Sequence, residues 1–433
     1  MVRTTDNNKG IKISNEIVSD FRGISNKKIN SLISENNSNL LIFPDDLNQT
    51  EDKIGNEIIF SIQNNILTTG NIMGFIGCNG SEITIQSRFD KCDKNYFLHY
   101  MLQKVFSINM FNLKHGINNE AIFDFLIYLF PYYLKKALRQ GLYKEYHKQE
   151  YNDSNVKGSI DFNKHIRSNL PFVGNIAYRV REHSYENKIS HLIRHTIEYI
   201  KKHKFAQGIL KLDLETQNCI NEIIQVTPRY DYRDRLSIIN KNLKPFSHPF
   251  FFEYKELKKI CMQILRYEGL KYGNEKDKIY GLLFDGAWLW EEYLNTILKH
   301  QAFKHPQNKC NADPIYLFKD SGYKQYPDFW KENIVLDAKY KNLSKKIERD
   351  DMHQIITYMH VKVASYGAFL FPSEKTVDKH IGRLNGFGGD LYTLSIGIPR
   401  NSSNFYEFTS IMALNENKFK EIVNRISNTG CST

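Results

Sequence analysis

The 433-residue sequence lacks several features that would assign it directly to a class of protein. Its six cysteines are scattered and form no Cys-x-x-Cys pair, so the sequence indicates neither a zinc site nor a secreted disulfide framework. The N-terminal residues have no apolar core of the signal-peptide kind. The most apolar run, at 122–134, is too short to cross a bilayer and contains Asp124. These absences predict a soluble protein of the reducing cytoplasm, without a membrane association.

Complete nucleotide-binding and metalloprotease motifs are also missing. The run GNIMGFIGCNG at 70–80 is followed by no Gly-Lys-Ser/Thr, and its glycine order fits neither phosphate-binding fingerprint. We interpret it as a glycine-rich turn between strands. His191 and His195 are spaced i, i+4 on a predicted helix, but no acidic residue in the metalloprotease pattern lies between them. We therefore interpret both histidines as surface or phosphate-facing residues rather than metal ligands.

The sequence does contain enough apolar residues for a large core, and it has an excess of positive charge. Hydrophobic residues make up 41% and aromatic residues 13% of the chain, enough for two or three domains. Lys and Arg number 59 against 48 Asp and Glu, which gives a net charge of +11 and favours a polyanionic partner such as DNA or RNA. Much of the excess lies in residues 134–204. This stretch could bind phosphates, although a lysine-rich helical surface facing solvent has the same composition.

Hydrophobic periodicity divides the chain into regions. Alternating runs at 56–62 and 81–87 are typical of half-buried strands. Helical spacing begins at Tyr96, and the polar stretch 273–281 is the best candidate boundary before the last region. The sequence thus predicts three parts: a β-rich N-terminal domain at 1–95, a mainly helical, basic middle region at 96–275 and a C-terminal domain at 276–433.

The C-terminal region has a definite predicted order of elements. In letters this order is αβββαβ, and it comes from a helix at 282–300, strands at 314–320 and in the two halves of 326–341, a helix at 350–364 and a strand at 367–372. Two further strand-like runs follow at 390–399 and 405–414, and a closing helix is predicted near 415–427. The predicted fold class is α+β, with a mixed α/β sheet flanked by helices in the C-terminal region.

The stretch YPDFWKENIVLDAKYK, at 326–341, predicts a hairpin with an acidic pair. With Glu332 and Asn333 as the two loop residues, the register places Asp328 opposite Asp337. Directly opposed residues have Cβ atoms about 4.5–5.5 Å apart, so the two carboxylates repel unless a cation lies between them. Mg²⁺ binds a few carboxylate oxygens and keeps several waters. The two aspartates are therefore candidate Mg²⁺ ligands.

A lysine completes the candidate site. Strand alternation puts Lys339 on the same face as Asp337, where its ammonium could orient or help to deprotonate a water and offset charge on a scissile phosphate. This combination predicts a phosphodiester hydrolase. A similar pattern, Pro-Asp followed by Glu-x-Lys, also occurs at 44–53, but Glu51 and Lys53 follow no apolar strand there. The strand context therefore separates the candidate site from this second copy.

Further residues could support the site. Gln354 and Tyr358 lie one helical turn apart and face the same way, so they could pack against the strand that carries Asp337, with Gln354 hydrogen-bonded to the site. Glu291 or Glu292, on the preceding helix, could add an acidic ligand through water. A solvent-facing helix charge is an equally good explanation of either glutamate.

These motifs resemble those of known nucleases. Residues 326–341 resemble the PD-(D/E)xK nuclease core, whose fold has the αβββαβ order, and the Gln-x-x-x-Tyr helix is similar to one in many of its members. LLFDGAWLWEEYL at 282–294 resembles the helix that opens the nuclease domain of McrC-type restriction subunits. The stretches 139–166 and 181–196 are similar to the middle region of that family. The resemblance covers roughly residues 96–372.

The resemblance implies a DNA endonuclease subunit that works with a McrB-like GTPase of the AAA+ class. By position, Asp328 and Asp337 would be metal ligands and Lys339 the catalytic lysine. The N-terminal part would dock on the GTPase ring and stimulate hydrolysis, and GTP would be bound by the partner because this chain has no Walker A motif. In this family, LlaJI-type systems act on a fixed DNA sequence, whereas McrBC systems require modified cytosine.

Two other functions are compatible with the sequence. One is a non-catalytic adaptor that regulates an NTPase ring and retains a nuclease fold only as structure. The other is a standalone repair nuclease, which would cut DNA without a GTPase. The intact set of two aspartates and a lysine favours a nuclease, since an adaptor has no need for paired carboxylates.

Overall fold

The structure is a computed structural model. It describes residues 2–34, 38–44, 54–90, 95–106, 120–202, 207–211, 213–244, 246–271, 279–306, 313–319, 322–344 and 346–428. The chain divides into two compact units, and the first of them is discontinuous. The first unit comprises Met1–Ile122 and Glu275–Thr433, and the second comprises Phe123–Asn274.

Helices occur in both units. Those among the described residues are α1 (Asn15–Phe21), α2 (Ile29–Ser34), α3 (Tyr96–Val105), α4 (Glu120–Leu138), α5 (Phe162–Ser168), α6 (Lys188–Lys202), α7 (Leu214–Gln225), α8 (Arg235–Lys241), α9 (Glu253–Lys271), α10 (Gly286–Leu298), α11 (Arg349–Lys362) and α12 (Phe405–Asn428). None of these helices is long and apolar enough to span a membrane.

Strands also occur in both units. Those described are β1 (Val2–Thr5), β2 (Ile11–Lys12), β3 (Ser38–Phe43), β4 (Phe60–Gln63), β5 (Ile66–Thr69), β6 (Ile72–Cys78), β7 (Ser81–Gln86), β8 (Glu145–Asp153), β9 (Ser159–Ile160), β10 (Ile176–Ser184), β11 (Ile279–Asp285), β12 (Ile315–Tyr316), β13 (Lys324–Gln325), β14 (Phe329–Lys331), β15 (Ile334–Ala338), β16 (Tyr366–Ser373), β17 (Asp378–Arg383) and β18 (Asp390–Gly397). The mixed α+β class predicted from the sequence is thus confirmed.

A strand from the C-terminal half completes the N-terminal sheet. The first five-stranded sheet has the order β1-β7-β6-β11-β3, in which β11 runs antiparallel to β6 and parallel to β3. Leu282, Leu283 and Phe284 of β11 are fully buried, so this strand needs a covered position inside a sheet. The structural units therefore differ from the three predicted parts, because residues on both sides of the predicted boundary at 276 share one sheet. The separate roles assigned to those parts stay predictions.

The glycine-rich run at 70–80 is mainly a strand rather than a turn. Residues 72–78 form β6, and the turn is confined to Asn79 and Gly80. Gly74 has φ +127°, and a Cβ built there would meet the backbone oxygen of Leu282 at 2.0 Å. Glycine at this position lets β6 and β11 approach closely, which is a structural use of the motif.

The second five-stranded sheet has the order β14-β15-β16-β18-β17. β15, β16 and β18 are parallel, whereas β14 and β17 are antiparallel edge strands. Helix α11 connects β15 to β16 and buries Ile355, Tyr358 and Met359 in a core with Val335 and Phe369. The helix therefore lies on one face of β15 and holds polar side chains of its first turns near the end of that strand.

Two strands predicted in this region differ from the structure. Within the described residues 314–319 the predicted strand is reduced to the two residues of β12, which pair with β13 outside the five-stranded sheet. The run 405–414 is the beginning of helix α12. Phe408 and Met412 are fully buried with helical spacing, so packing of one helical face decided the structure of this run.

The second unit combines helices with a three-stranded sheet. The sheet has the order β8-β10-β9, and β8 and β10 pair antiparallel along nine residues. His195 on α6 is fully buried, which contradicts its interpretation as a surface or phosphate-facing residue. Its Nδ1 lies 2.6 Å from the hydroxyl of Tyr230, and its ring stacks on Tyr232. Burial, assisted by Arg235, lowers the pKa of His195 to about 4, so it is a neutral core residue.

Candidate active site

The predicted hairpin is present with the predicted register. The two-residue loop of Glu332 and Asn333 joins β14 to β15, and the paired residues are Phe329 with Leu336, Trp330 with Val335 and Lys331 with Ile334. This register brings Asp328, which directly precedes β14, opposite the end of β15. The backbone N–H of Ala338 donates a hydrogen bond of 2.6 Å to Asp328 Oδ2. The side chain of Asp328 is thereby held against the strand that carries Asp337.

Asp337 has a buried carboxylate that receives few hydrogen bonds from the protein. Its residue exposure is 0%, and its Oδ1 is buried without a hydrogen-bond partner. Burial raises the pKa of Asp337, and the charge of Asp328 raises it further. Burial also raises the pKa of Asp328, with an additional contribution from Glu291. Both carboxyls are therefore harder to ionise than an ordinary aspartate, and an added positive charge would favour their ionised forms.

Lys339 supplies one positive charge to these carboxyls. Its Nζ lies 2.8 Å from Asp337 Oδ2 and donates a hydrogen bond of 2.8 Å to Gln354 Oε1. Burial would lower the pKa of Lys339, but Asp337 and Asp328 reverse this effect and raise it. With both aspartates ionised and Lys339 protonated, these three side chains carry a net charge of −1. A cation can therefore be accommodated electrostatically.

Helix α11 orients the lysine. Gln354 Nε2 donates a hydrogen bond of 2.8 Å to the hydroxyl of Tyr358, so the predicted pair on this helix does reach the site. Asp351 was not singled out from the sequence, but its Oδ1 lies 3.7 Å from Lys339 Nζ and its Oδ2 lies 2.7 Å from Lys341 Nζ. Its spacing of three residues from Gln354 places both on one helical face, and that spacing was the available signal.

Glu291 and Glu292 lie beside a histidine that the sequence analysis missed. His305 Nε2 is 3.8 Å from Glu291 Oε1 and 3.6 Å from Glu292 Oε1. The other ring nitrogen, Nδ1, lies 2.7 Å from the backbone oxygen of Asp328, and the ring stacks on Phe329. Burial alone would lower the pKa of His305, but Glu292, Glu291 and the Asp328 backbone together raise it to about 9. Protonated His305 thus links the glutamates to the Asp328 backbone.

The donor set suits a hard divalent cation with few protein ligands. Within the described part of the chain, no group of three or more His, Cys, Asp or Glu side chains is placed to hold a metal ion. Asp328 and Asp337 offer carboxylate oxygens, of which the buried Oδ1 of Asp337 has no protein partner. Mg²⁺ binds through one or two carboxylates and retains waters, so these residues fit it.

Comparison with known proteins places the chain among components of restriction systems. More narrowly, the model of the McrBC 5-methylcytosine restriction system component family matches residues 67–372, and the chain belongs to this family. The family-level resemblance found in the sequence is thereby confirmed. A search of curated proteins gave no match.

Two solved structures are similar to the chain. One is a chain of the refined half-complex from the tetradecameric assembly of Thermococcus gammatolerans McrB AAA+ hexamers with bound McrC. It shares 14% identity over 98% of this chain and 99% of that chain, with a TM-score of 0.53. The other, in the cryo-EM structure of the Thermococcus gammatolerans McrBC complex, shares 12% identity over 71% and 89% of the two chains, with a TM-score of 0.35. The first of these similarities supports the fold.

Proposed function

We propose that the protein is the DNA-cleaving subunit of a GTP-dependent restriction system of the McrBC or LlaJI kind, which would act in defence against phage. The sheet β14-β15-β16-β18-β17 with α10 and α11 would be its PD-(D/E)xK nuclease core. One observation carries the proposal: Lys339 Nζ lies 2.8 Å from Asp337 Oδ2 and from Gln354 Oε1, beside a second carboxylate, that of Asp328, which directly precedes the neighbouring strand β14.

Asp328 and Asp337 are the proposed ligands of Mg²⁺. When bound, this ion would supply Lewis-acid stabilisation of the charge that develops on the phosphate. Two features of the residues support the assignment. The buried Oδ1 of Asp337 lacks a partner, and both carboxyls have raised pKa values that an adjacent cation would lower. Glu291, 3.8 Å from protonated His305, would contribute to the negative potential at the site.

Lys339 is the proposed catalytic lysine. Asp337 and Gln354 hold its ammonium in one position, and Tyr358 in turn fixes the amide of Gln354. A preorganised ammonium stabilises charge on a phosphate oxygen without reorganising during the reaction. Because its pKa is raised, Lys339 is protonated near neutral pH and donates hydrogen bonds to the phosphate or to the attacking water. The neutral form needed to remove a proton from that water is scarce.

The proposed partners are double-stranded DNA and an AAA+ GTPase. The similar solved chain comes from an assembly of McrB AAA+ hexamers with bound McrC, and we propose an equivalent assembly for this chain. GTP would be bound by the partner, since the sequence contains no Walker A motif. The basic stretch 134–204 would contact DNA phosphates, which makes binding sensitive to salt. The buried free thiols of Cys219 and Cys261 fit a reducing cytoplasm.

A four-component assay tests this function. The full chain, the AAA+ partner, GTP and Mg²⁺ are mixed with plasmid DNA that carries the target, and each component is left out in turn. We expect cleavage only in the complete mixture. Stimulated GTP hydrolysis without cleavage would identify an adaptor, and cleavage that needs neither partner nor GTP would identify a standalone nuclease.

A further inference from the structure

Two lysines contact one tryptophan on β14, the edge strand of the second five-stranded sheet. Lys304 Nζ lies 4.6 Å from the ring centroid of Trp330, and Lys362 Nζ lies 3.2 Å from the same centroid. The backbones of Lys304 and Trp330 exchange hydrogen bonds of 2.9 and 3.0 Å, which holds the loop before β12 against β14. Lys362 belongs to the last turn of α11. Lys304 and Lys362, hereafter the lysine pair, therefore come from separate segments and meet at Trp330.

The lysine pair is incompletely neutralised by the protein. Among the described residues, no carboxylate forms an ion pair with either ammonium. The two nitrogens lie within about 8 Å of each other, since both contact one ring, and like charges at this separation repel. Burial lowers the pKa of Lys362, and Lys304 lowers it further. The face of an indole ring attracts a cation, but an anion between the two ammonium groups would relieve their repulsion.

The lysine pair shares a sheet face with the candidate active site. Trp330 is paired with Val335, so their side chains lie on the same face, and Val335 packs in the core beneath α11. Asp337 follows Val335 by two residues and lies on that face as well. Two residues of strand span about 7 Å. Lys362 follows Gln354 by two helical turns, about 12 Å along α11.

We propose that the lysine pair binds a backbone phosphate of the DNA strand, next to the phosphodiester that is cut. This proposal rests on the proposed nuclease function and names a DNA contact outside Asp328, Asp337 and Lys339. A DNA strand carries a phosphate about every 3.4 Å of helix axis. A DNA strand that crosses this sheet face therefore presents one phosphate to the candidate active site and another to the lysine pair. Lysine binds phosphate as a point charge and reads no base, so the contact positions the duplex and does not select its sequence.

DNA binding in a cleavage-deficient background tests the contact. The full chain with Asp337→Asn is titrated with a fluorescent duplex at several salt concentrations, alone and with the AAA+ partner. Counterion release makes each phosphate contact contribute about eightfold at roughly 0.1 M salt and about 0.9 to the slope of log K against log salt. Lys304→Gln and Lys362→Gln should each show a loss of this size. The arginine substitutions, which keep the charge, should bind nearly as tightly as the parent.

Lys418→Gln is the matched control, because it removes the same charge from an exposed position on α12. If the Lys304→Gln/Lys362→Gln double variant binds with the same affinity and salt slope as this control, the proposal is overturned. It is also overturned if the parent chain binds no duplex either alone or with the AAA+ partner. Retained cleavage by the Asp337→Asn chain would instead contradict the nuclease assignment. The binding measurements would still decide whether the lysine pair contacts DNA. Equal thermal unfolding of all variants shows that the fold is kept.

Discussion

Asp337→Asn should stabilise the protein above neutral pH when divalent cations are removed by a chelator. Burial of the Asp337 carboxyl and the nearby charge of Asp328 raise its pKa to about 7, from an ordinary value of 3.8. Between these two values the folded protein binds more protons than the unfolded chain. Its stability therefore falls as the pH rises through that window and stays low above it. Asparagine at this position carries no charge and avoids the loss.

The expected size follows from the pKa shift. A pKa of about 7 in place of 3.8 gives an upper bound of about 4 kcal/mol, since each tenfold change in an equilibrium constant corresponds to about 1.4 kcal/mol. The pKa of Asp328 is also raised to about 7, so this carboxyl titrates together with Asp337 and the effect is divided between the two. We expect the asparagine variant to be more stable by on the order of 2 kcal/mol at pH 8 and by much less at pH 5. Urea denaturation at both pH values measures the difference.

Mg²⁺ should reverse this advantage. A ligand that binds only the folded state stabilises it by about 2.7 kcal/mol at a concentration 100 times its Kd. The parent chain should gain this stability, whereas the Asp337→Asn chain should gain little. Asp350→Asn, on an exposed residue of α11, is the control and should respond to Mg²⁺ like the parent. The prediction is wrong if the Asp337→Asn variant is less stable than the parent at pH 8 in chelator, or if Mg²⁺ stabilises both chains equally.

Two further predictions concern buried charges. Glu416 accepts hydrogen bonds from the hydroxyls of Tyr100 and Tyr293, so Glu416→Leu should cost about 2–5 kcal/mol in urea denaturation, and Glu416→Gln, which keeps an acceptor, should cost less. His305→Phe should keep the ring stack but lose the bond that positions the Asp328 backbone, and this misplacement should slow cleavage about tenfold. The raised pKa of His305, about 9, stabilises the fold below pH 6.5, and this stabilisation is lost as the pH rises through 9. The phenylalanine variant should therefore lose its stability deficit between pH 6 and 9.5, measured in the same denaturation assay.

The hairpin and its two aspartates could be predicted from the sequence because their geometry is local. A two-residue loop sets the register of the flanking strands, and strand alternation then decides which side chains share a face. The contact of Gln354 with Lys339 followed from helical spacing together with the strand order. Each of these inferences depends on residues close together in sequence.

Features that depend on distant contacts could not be predicted in this way. The apolar run that forms β11 is short enough to suit a strand or a buried helix, and only its pairing with β6 and β3 decides between them. His305 reaches the site by packing on Phe329 and bonding to the Asp328 backbone, and no motif marks it. His195 was predicted to be a surface residue from its spacing with His191 on a helix, but tertiary packing buries it.

Single-turnover cleavage rates in the presence of the AAA+ partner, GTP and Mg²⁺ show whether Asp337 and Lys339 carry out DNA cleavage. Asp337→Asn and Lys339→Gln are compared with Asp350→Asn and Lys418→Gln, which make the same changes at exposed positions. We predict rates at least about 100-fold below the parent for the first two variants, with DNA binding and GTPase stimulation retained, and parental rates for the controls. Undiminished cleavage by both site variants would show that these two residues do not form the active site.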